Sequence, residues 1–285
     1  MRRFLLAMST SLGLIAAPVS AETEDAASVV ACEGCEALLE LATASSTRKA
    51  DTGRDAYRNP VATLAFLGVR PDMKVGEYAP GGGWYSRVLG PYLAGEGELV
   101  GLFFDKDAAG IPERYRAGSP ESAAKFAGQV AGWTGKAGAK VSGLSLDTVP
   151  EEQKGTFDRI LVMRMMHNLM RWNAADSELA TMRELLKPDG MIGIVQHRAK
   201  ADAPWSYANG DHGYLREADV IKLMELNGFE LVGKSEINAN PKDTADYENG
   251  VWTLPPSLAL KDVDKAKYEA IGESDRMTLL FRKAP

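Results

Sequence analysis

The chain has 285 residues, 45% hydrophobic and 25% charged, which excludes a disordered chain, a collagen-like repeat and a polytopic membrane protein. Its net charge of −6 argues against a nucleic-acid partner, because polyanions are held mainly by clustered basic charge. Chemistry that needs imidazole or thiol has few candidate positions, since the only such residues are His167, His197, His212, Cys32 and Cys35.

Residues 1–21 have the features of a secretory signal peptide. Met1-Arg2-Arg3 is a short cationic start, and residues 4–18 form an apolar stretch too short to span a membrane. Val19-Ser20-Ala21 places small residues at the positions that a signal peptidase prefers, so we predict cleavage after this triplet. The mature chain is then periplasmic or secreted, without a stable membrane anchor. Residues 30–32 look like a lipoprotein cleavage box, but acidic residues separate them from the apolar stretch, which argues against lipidation.

Residues 22–53 are predicted to form an N-terminal extension that carries both cysteines. Cys32 and Cys35 stand as Cys-Glu-Gly-Cys on the exported side of the signal, where thiols tend to be oxidised. This spacing predicts a local disulfide. A metal or redox role stays open, although the acidic and Ala-rich flanks differ from the strand-to-helix context of a thioredoxin-like motif.

Residues 54–285 alternate helical patterns with short apolar segments, which predicts an α/β domain with a parallel sheet. Strands are predicted at 74–78, 99–104, 140–144, 157–163, 191–196, 229–234 and 277–282. Helices are predicted at 61–67, 84–93, 119–133, 177–186 and 217–227, and residues 187–190 are predicted to form a turn. Ser119 is expected to cap its helix, since Pro and an acid follow it.

A glycine-rich turn, residues 79–83, follows the first predicted strand and precedes a helix. Residues without Cβ let the backbone approach a nucleotide closely, although a flexible turn explains the spacing equally well. The turn is not a P-loop, because no Gly-Lys-Ser/Thr follows it. Nor is it a good dinucleotide fingerprint, because Ala79 stands where the first glycine should be.

Residues 75–83, Val-Gly-Glu-Tyr-Ala-Pro-Gly-Gly-Gly, resemble the first motif of class I S-adenosylmethionine-dependent methyltransferases. In that motif an acidic strand residue precedes a Gly-x-Gly-x-Gly turn. Residues 157–169 are similar to the family's fourth strand and the loop after it, and residues 186–195 are similar to its Leu-Lys-Pro-Gly-Gly segment before strand five. Residues 227–229 and 280–283 match the closing part of that fold.

A narrower resemblance is to a group of exported, predicted methyltransferases, carried by the leader, by Arg58-Asn59-Pro60 and by the Gly-Gly-Gly-Trp-Tyr run. The family resemblance implies a Rossmann-like fold: a seven-stranded, mainly parallel sheet with an antiparallel last strand and helices on both faces. It also implies S-adenosylmethionine as the cofactor.

The resemblance also implies the cofactor-binding residues. Glu77, Ala79, Gly81 and Gly83 would line the methionine and ribose part, with Tyr78 and Trp84 packing on it. At the end of strand two, where the family has an acid for the ribose, this chain has Phe103, and the nearest carboxylate is Asp105. Asp147 is the candidate acid on the adenine side, although a solvated loop acid explains it equally well.

Methyl transfer is an in-line displacement, so the protein must align the reacting atoms and remove a proton from a neutral acceptor. His167 follows strand four and His197 follows strand five, and the carboxyl ends of neighbouring parallel strands face one crevice. We predict these two as catalytic residues, either one being the general base, and expect His212 to reach the same crevice. A structural role for any single histidine stays open. Metal binding with Asp211 is the weaker alternative, because no pair has i, i+4 spacing, and no metal is predicted.

The sequence also bears on the methyl acceptor. The Asn/Asp-Pro-Pro-Tyr signature of amino-methylating DNA enzymes is absent after strand four, and no cysteine is placed for cytosine C5 methylation. Loop aromatics are expected to cover the substrate mouth and favour a small apolar or aromatic acceptor, though loop packing explains them equally well: Trp205, Tyr207, Tyr214, Tyr247 and Trp252.

The predicted function is therefore an exported methyltransferase that acts on an oxygen or nitrogen of a small molecule. The alternative is an inactive protein of the same fold that binds a metabolite, nucleotide or metal. Phe103 and Ala79 favour the alternative, whereas Glu77 and the clustered histidines favour the enzyme. The sequence leaves the oligomeric state open.

Overall fold

The computed structural model describes residues 32–135 and 139–284, so the predicted signal peptide lies outside the described residues. The described chain forms a sheet of seven strands: β1 (Lys74–Tyr78), β2 (Glu98–Phe103), β3 (Lys140–Ser145), β4 (Phe157–Met163), β5 (Leu186–His197), β6 (Phe229–Ser235) and β7 (Arg276–Lys283).

The strand order is β3-β2-β1-β4-β5-β7-β6. Strands β1 to β5 pair in parallel, and β7 runs antiparallel to both β5 and β6. The chain winds outward from β1 in one direction and from β4 in the other, so the topological switch point lies between these two strands. Ligands of open α/β sheets bind outside the carboxyl ends of the strands at such a point.

Helices connect the strands, and none of those in the described chain is both long enough and apolar enough to cross a membrane. Their bounds are α1 (Cys35–Thr43), α2 (Asp55–Arg58), α3 (Pro60–Phe66), α4 (Ser86–Tyr92), α5 (Glu113–Arg116), α6 (Ser119–Thr134), α7 (Met166–Arg171), α8 (Ala175–Leu185), α9 (Trp205–Ala208), α10 (Glu217–Leu226) and α11 (Lys265–Ile271).

The sheet is buried on both faces. Along β4, Ile160 and Val162 join one apolar cluster with α8 and α10, whereas Leu161 and Met163 join a second cluster with α1, α3, α4 and α6. Alternate residues of a strand point to opposite faces, so a continuous apolar run marks a strand covered on both sides. The predicted fold class, a mainly parallel seven-stranded sheet with helices on both faces, is confirmed.

Two local predictions differ from the structure. Ser119 is the first residue of α6 rather than its cap, a position that Gly118 takes, and the Ser119 hydroxyl is buried. The predicted turn at 187–190 lies within β5, because Leu186 already pairs with Phe157 and an irregularity in the register follows. Long-range pairing outweighs the local turn preference there.

The N-terminal extension packs against the domain. The predicted disulfide between Cys32 and Cys35 is confirmed. Leu39 and Ala42 of α1 belong to the same buried cluster as Leu89 of α4. The boundary between residues 53 and 54 stays a prediction, but α1 contributes apolar side chains to the core.

Candidate functional site

The glycine turn after β1 is held in one shape by its neighbours. Gly83 has a φ of 72°, and a Cβ there would lie 2.1 Å from the indole ring of Trp133. Only glycine fits both conditions without a shift. Arg87 donates a hydrogen bond to the carbonyl oxygen of Gly82 at 2.7 Å and pairs through two hydrogen bonds with Asp51. The turn is therefore braced from α6 on one side and from α4 on the other.

Glu77, the last residue but one of β1, is buried, with 3% of its surface exposed. The hydroxyl of Ser86 donates a hydrogen bond to its carboxylate at 2.6 Å. Burial, only partly offset by that bond, raises the pKa of Glu77 to about 7. Ala79, two residues on, has a φ of 48°, an uncommon value for a residue with a Cβ.

Two adjoining cavities open at the carboxyl ends of the strands. We call the first, of about 470 Å³, the aromatic cavity, because its wall includes Phe103, Phe104, Tyr115 and Trp172. We call the second, of about 480 Å³, the arginine cavity, because Arg54, Arg58, Arg87 and Arg164 line it together with Glu77, Tyr78 and Trp84. The two cavities share the wall residues Ala79, Gly81, Met165, His167, Asn168 and Trp252.

The two acids predicted on the β2 and β3 side are engaged elsewhere and are not among the residues that line either cavity. Asp105 accepts a hydrogen bond from the backbone N–H of Asp107 at 2.7 Å. Asp147 is hydrogen-bonded to the hydroxyl of Ser145 and lies 3.4 Å from the ammonium of Lys106. Their predicted role in cofactor binding stays a prediction.

A buried carboxyl group that the sequence did not point to, that of Glu178, lies between the carboxyl ends of β1 and β2. Tyr78 donates its hydroxyl to Glu178 of α8 at 2.7 Å, and the other oxygen of Glu178 accepts the backbone N–H of Asp105 at 3.0 Å. Burial raises the pKa of Glu178 to about 7. Glu178 thus ties the end of β1 to the loop after β2, from a helix that carries no recognisable motif.

His167 lies on the wall shared by the two cavities. Its Nδ1 is 3.2 Å from Oε1 of Gln196, whose amide nitrogen donates to the carbonyl oxygen of Gly213 at 2.8 Å. With the amide assigned in that orientation, Nδ1 of His167 carries the proton and Nε2 is the acceptor. Burial, with the nearby charges of Arg171 and Arg164, lowers the pKa of His167 to about 4. The ring is therefore neutral at physiological pH.

His197 lies beside His167, with 5.7 Å between the ring centroids. Its Nδ1 is 2.6 Å from the hydroxyl oxygen of Ser274. Burial and the charge of Arg276 lower its pKa well below the usual value. The structure therefore brings two of the predicted histidines together in one wall, both uncharged.

The expectation that His212 joins them is wrong. His212 is not among the residues that line either cavity; it stacks on Tyr207 at 4.4 Å, and Tyr207 stacks in turn on Tyr214. Of the five loop aromatics, Trp252 lines both cavities, whereas Trp205 is 55% exposed. Within residues 32–135 and 139–284, no group of three or more His, Cys, Asp or Glu side chains is arranged to hold a metal ion.

Comparison with known proteins gave structural similarities only. No protein-family model and no curated protein matched the sequence. An S-adenosylmethionine-dependent methyltransferase from Aquifex aeolicus aligns with a TM-score of 0.45 and 16% identity over 72% of this chain and 93% of its own.

Two other solved structures are similar. The 1,6-didemethyltoxoflavin-N1-methyltransferase of Burkholderia thailandensis, solved with 1,6-didemethyltoxoflavin and S-adenosylhomocysteine, has a TM-score of 0.47 and 17% identity over 95% of this chain and 94% of its own. A geranyl diphosphate methyltransferase in complex with S-adenosylmethionine has a TM-score of 0.49 and 14% identity over 89% of this chain and 92% of its own.

Proposed function

We propose that this protein is an S-adenosylmethionine-dependent methyltransferase that acts on an oxygen or nitrogen of a small molecule. The observation that carries the proposal is the buried carboxylate of Glu77, which lines a cavity at the switch point of the sheet beside a braced glycine turn. A zwitterionic amino acid needs such a counter-charge for its ammonium group, and a nucleoside needs a close backbone approach.

The residues present fit this cofactor. Glu77 would pair with the methionine ammonium, and the turn carrying Ala79 and Gly81 would lie against the ribose. The aromatic cavity would take the adenine between apolar rings: Trp172 lies 5.8 Å from Phe104 and 5.1 Å from Tyr115, centroid to centroid. Rings in this arrangement favour flat, apolar ligands. Phe103 leaves the ribose without the carboxylate expected there.

His167 is the candidate general base. When bound, the cofactor supplies an electrophilic methyl group. The acceptor nitrogen Nε2 of His167 would accept the proton of a neutral oxygen or nitrogen nucleophile, and Gln196 fixes the ring in the tautomer that this role needs. With its adenine in the aromatic cavity and its methionine part beside Glu77, the cofactor would extend from one cavity into the other past His167, and the acceptor would share the arginine cavity with the methionine part.

Export to the periplasm or out of the cell is part of the proposal. It is supported by the cationic start, apolar stretch and small-residue cleavage site of residues 1–21. The Cys32–Cys35 disulfide is consistent with an oxidising compartment. N-terminal sequencing of the protein purified from its source would test this part, and a chain that begins at Met1 would contradict it.

The second candidate is a binding protein that retains the fold without catalysis. Two observations favour it: Phe103 ends β2 where a ribose acid is expected, and the low pKa of His167 makes it a weak base. Calorimetric titration with S-adenosylmethionine and S-adenosylhomocysteine tests the first candidate. We expect both ligands to bind. If neither binds at millimolar concentrations, the protein is not a methyltransferase.

A further inference from the structure

Positive charge is concentrated and undercompensated on one side of the arginine cavity. Glu273 is buried and accepts hydrogen bonds from Arg54 at 2.5 Å, from Arg58 at 3.1 Å and from Arg276. Although burial opposes it, these guanidinium groups lower the pKa of Glu273 to about 2. One carboxylate thus serves three arginines, and Arg164 lies close enough to Arg58 and Arg276 to be repelled by them.

The guanidinium group of Arg58 has hydrogen-bond donors without a partner. The side chain is 2% exposed, and its Nε donates to Glu273, yet Nη1 and Nη2 are buried without a partner. The guanidinium lies over the indole of Trp84, 4.7 Å from the ring centroid, and lines the arginine cavity. Unpaired buried donors cost free energy, so a fixed guanidinium with two free nitrogens at a cavity favours an acceptor ligand.

Arg164 stands on the other wall, directly after β4. Its φ of 60° is uncommon for a residue with a Cβ, and its backbone N–H donates to the carbonyl oxygen of Val195 at 2.6 Å. Its Nε is buried without a partner, and within the described part of the chain it forms no ion pair. Strained residues of this kind concentrate at ligand-binding sites. Two guanidinium groups with unused donors therefore line one cavity beside His167.

Two further arginines close to this cluster have carboxylate partners of their own. Arg48 pairs with Asp55 at 2.7 Å, and Arg87 pairs with Asp51. Four guanidinium groups, those of Arg54, Arg58, Arg164 and Arg276, therefore face the single carboxylate of Glu273.

We propose that the arginine cavity is an oxyanion receptor, in which Arg58 and Arg164 bind a carboxylate or phosphate group of the methyl acceptor. This inference rests on the proposed function in one respect, namely that the bound anion is the methyl acceptor. Planar guanidinium groups with paired donors match the geometry of both oxyanions.

The cofactor alone cannot neutralise the positive charge of the arginine cavity, so Arg58 and Arg164 have charge left to bind the acceptor. The methionine part of the cofactor carries one carboxylate, which could neutralise one guanidinium group, while its ammonium would pair with Glu77. Because the excess exceeds one charge, a second anion is needed to complete the compensation. The acceptor bound next to His167 is the molecule placed to supply it.

The test compares Arg58→Gln and Arg164→Gln with the control Arg70→Gln. Arg70 is an exposed arginine that precedes the opposite end of β1 and pairs with Asp72 at 3.4 Å. Inorganic phosphate and benzoate are the probes, titrated by calorimetry into protein saturated with S-adenosylhomocysteine. We expect each cavity variant to weaken oxyanion binding about tenfold or more and to weaken S-adenosylhomocysteine binding much less, while the control changes either affinity by less than about twofold.

Arg164→Gln breaks no ion pair, so it keeps the test valid if Arg58→Gln does not fold. Preference for phosphate indicates a phosphate-bearing acceptor, and preference for benzoate indicates a carboxylic acid. Absence of binding of both probes, or equal losses of S-adenosylhomocysteine and oxyanion affinity in the variants, would overturn the inference. Binding of an oxyanion without binding of S-adenosylhomocysteine would instead leave the receptor standing and overturn the methyltransferase.

Discussion

The two cavities share one wall and differ in how they can recognise a ligand. The aromatic cavity is lined by rings such as Phe104 and Trp172, so burial of flat apolar surface dominates there. The arginine cavity contains guanidinium groups that share one buried carboxylate, Glu273, so charge dominates there. In the function proposed above, one side of the site would bind a flat ring and the other an anion, with His167 on the wall between them.

The largest expected effect is on methyl transfer at the shared wall. His167→Ala should reduce transfer of labelled methyl groups from S-adenosylmethionine by about a hundredfold or more, because the general base is lost. Affinity for S-adenosylhomocysteine should change by less than about twofold, since the role proposed for His167 is to accept a proton from the methyl acceptor and not to hold the cofactor. His212→Ala, in the neighbouring aromatic cluster, is the control and should leave the rate unchanged. An unchanged rate in His167→Ala would remove this residue from the mechanism.

Removal of the shared carboxylate should destabilise the arginine side. Glu273→Gln leaves buried guanidinium groups uncompensated, which costs about 3–5 kcal/mol of unfolding free energy. Asp72→Asn, which removes the partner of the exposed Arg70, should cost less than about 1 kcal/mol. Urea denaturation measures both. Equal losses of unfolding free energy in the two variants would show that the buried Glu273 contributes no more to stability than an exposed ion pair does.

The glycine turn belongs to both cavities, and Gly83→Ala should distort it. The new Cβ would overlap the ring of Trp133 in a backbone conformation that alanine disfavours, at a cost of about 1–3 kcal/mol. Gly82→Ala is the matched control, because a Cβ there meets no atom within 4 Å. Gly83→Ala should unfold at a lower temperature and bind S-adenosylhomocysteine more weakly than Gly82→Ala. Equal unfolding temperatures and affinities in the two variants would mean that the turn tolerates displacement.

The pH dependence of cofactor binding should follow the ionisation of the Glu77 carboxyl group. Its carboxyl pKa is raised to about 7, so the ionised form that attracts the ammonium group gains population as the pH rises from 6 to 8. Affinity for S-adenosylmethionine should therefore increase by about tenfold over that range. In Glu77→Gln the increase should disappear and the affinity at pH 8 should fall by a similar factor. A slope retained in that variant would assign the titration to another group.

The smallest effect is expected from Ser86→Ala. The hydroxyl of Ser86 stabilises the ionised form of Glu77, so its removal should raise the pKa of Glu77 further, by up to about one unit. The midpoint of the affinity profile should move to higher pH while the affinity at high pH stays nearly the same. A midpoint that moves to lower pH would contradict the hydrogen-bond assignment.

The sequence alone determined the parts of this protein that depend on neighbouring residues. Apolar runs located the inner strands, β2 and β4 among them, because a strand buried on both faces must be continuously hydrophobic. Glu77 and its glycine turn were predicted from one short segment, since strand, turn and helix follow each other along the chain. The disulfide was predicted from a spacing of three residues.

Only the tertiary structure decided which distant side chains meet. Arg58, Arg164 and Glu273 come from separate parts of the chain, and no local sequence pattern predicts that Arg58 and Arg164 line one cavity while Glu273 pairs with Arg58. Glu178 reaches Tyr78 across 100 residues. His212 lies in the loop after β5, as the sequence suggested, yet its ring stacks on Tyr207 and does not reach the two cavities. Burial and charge are properties of the assembled site, because both depend on residues that the chain brings together only when it folds.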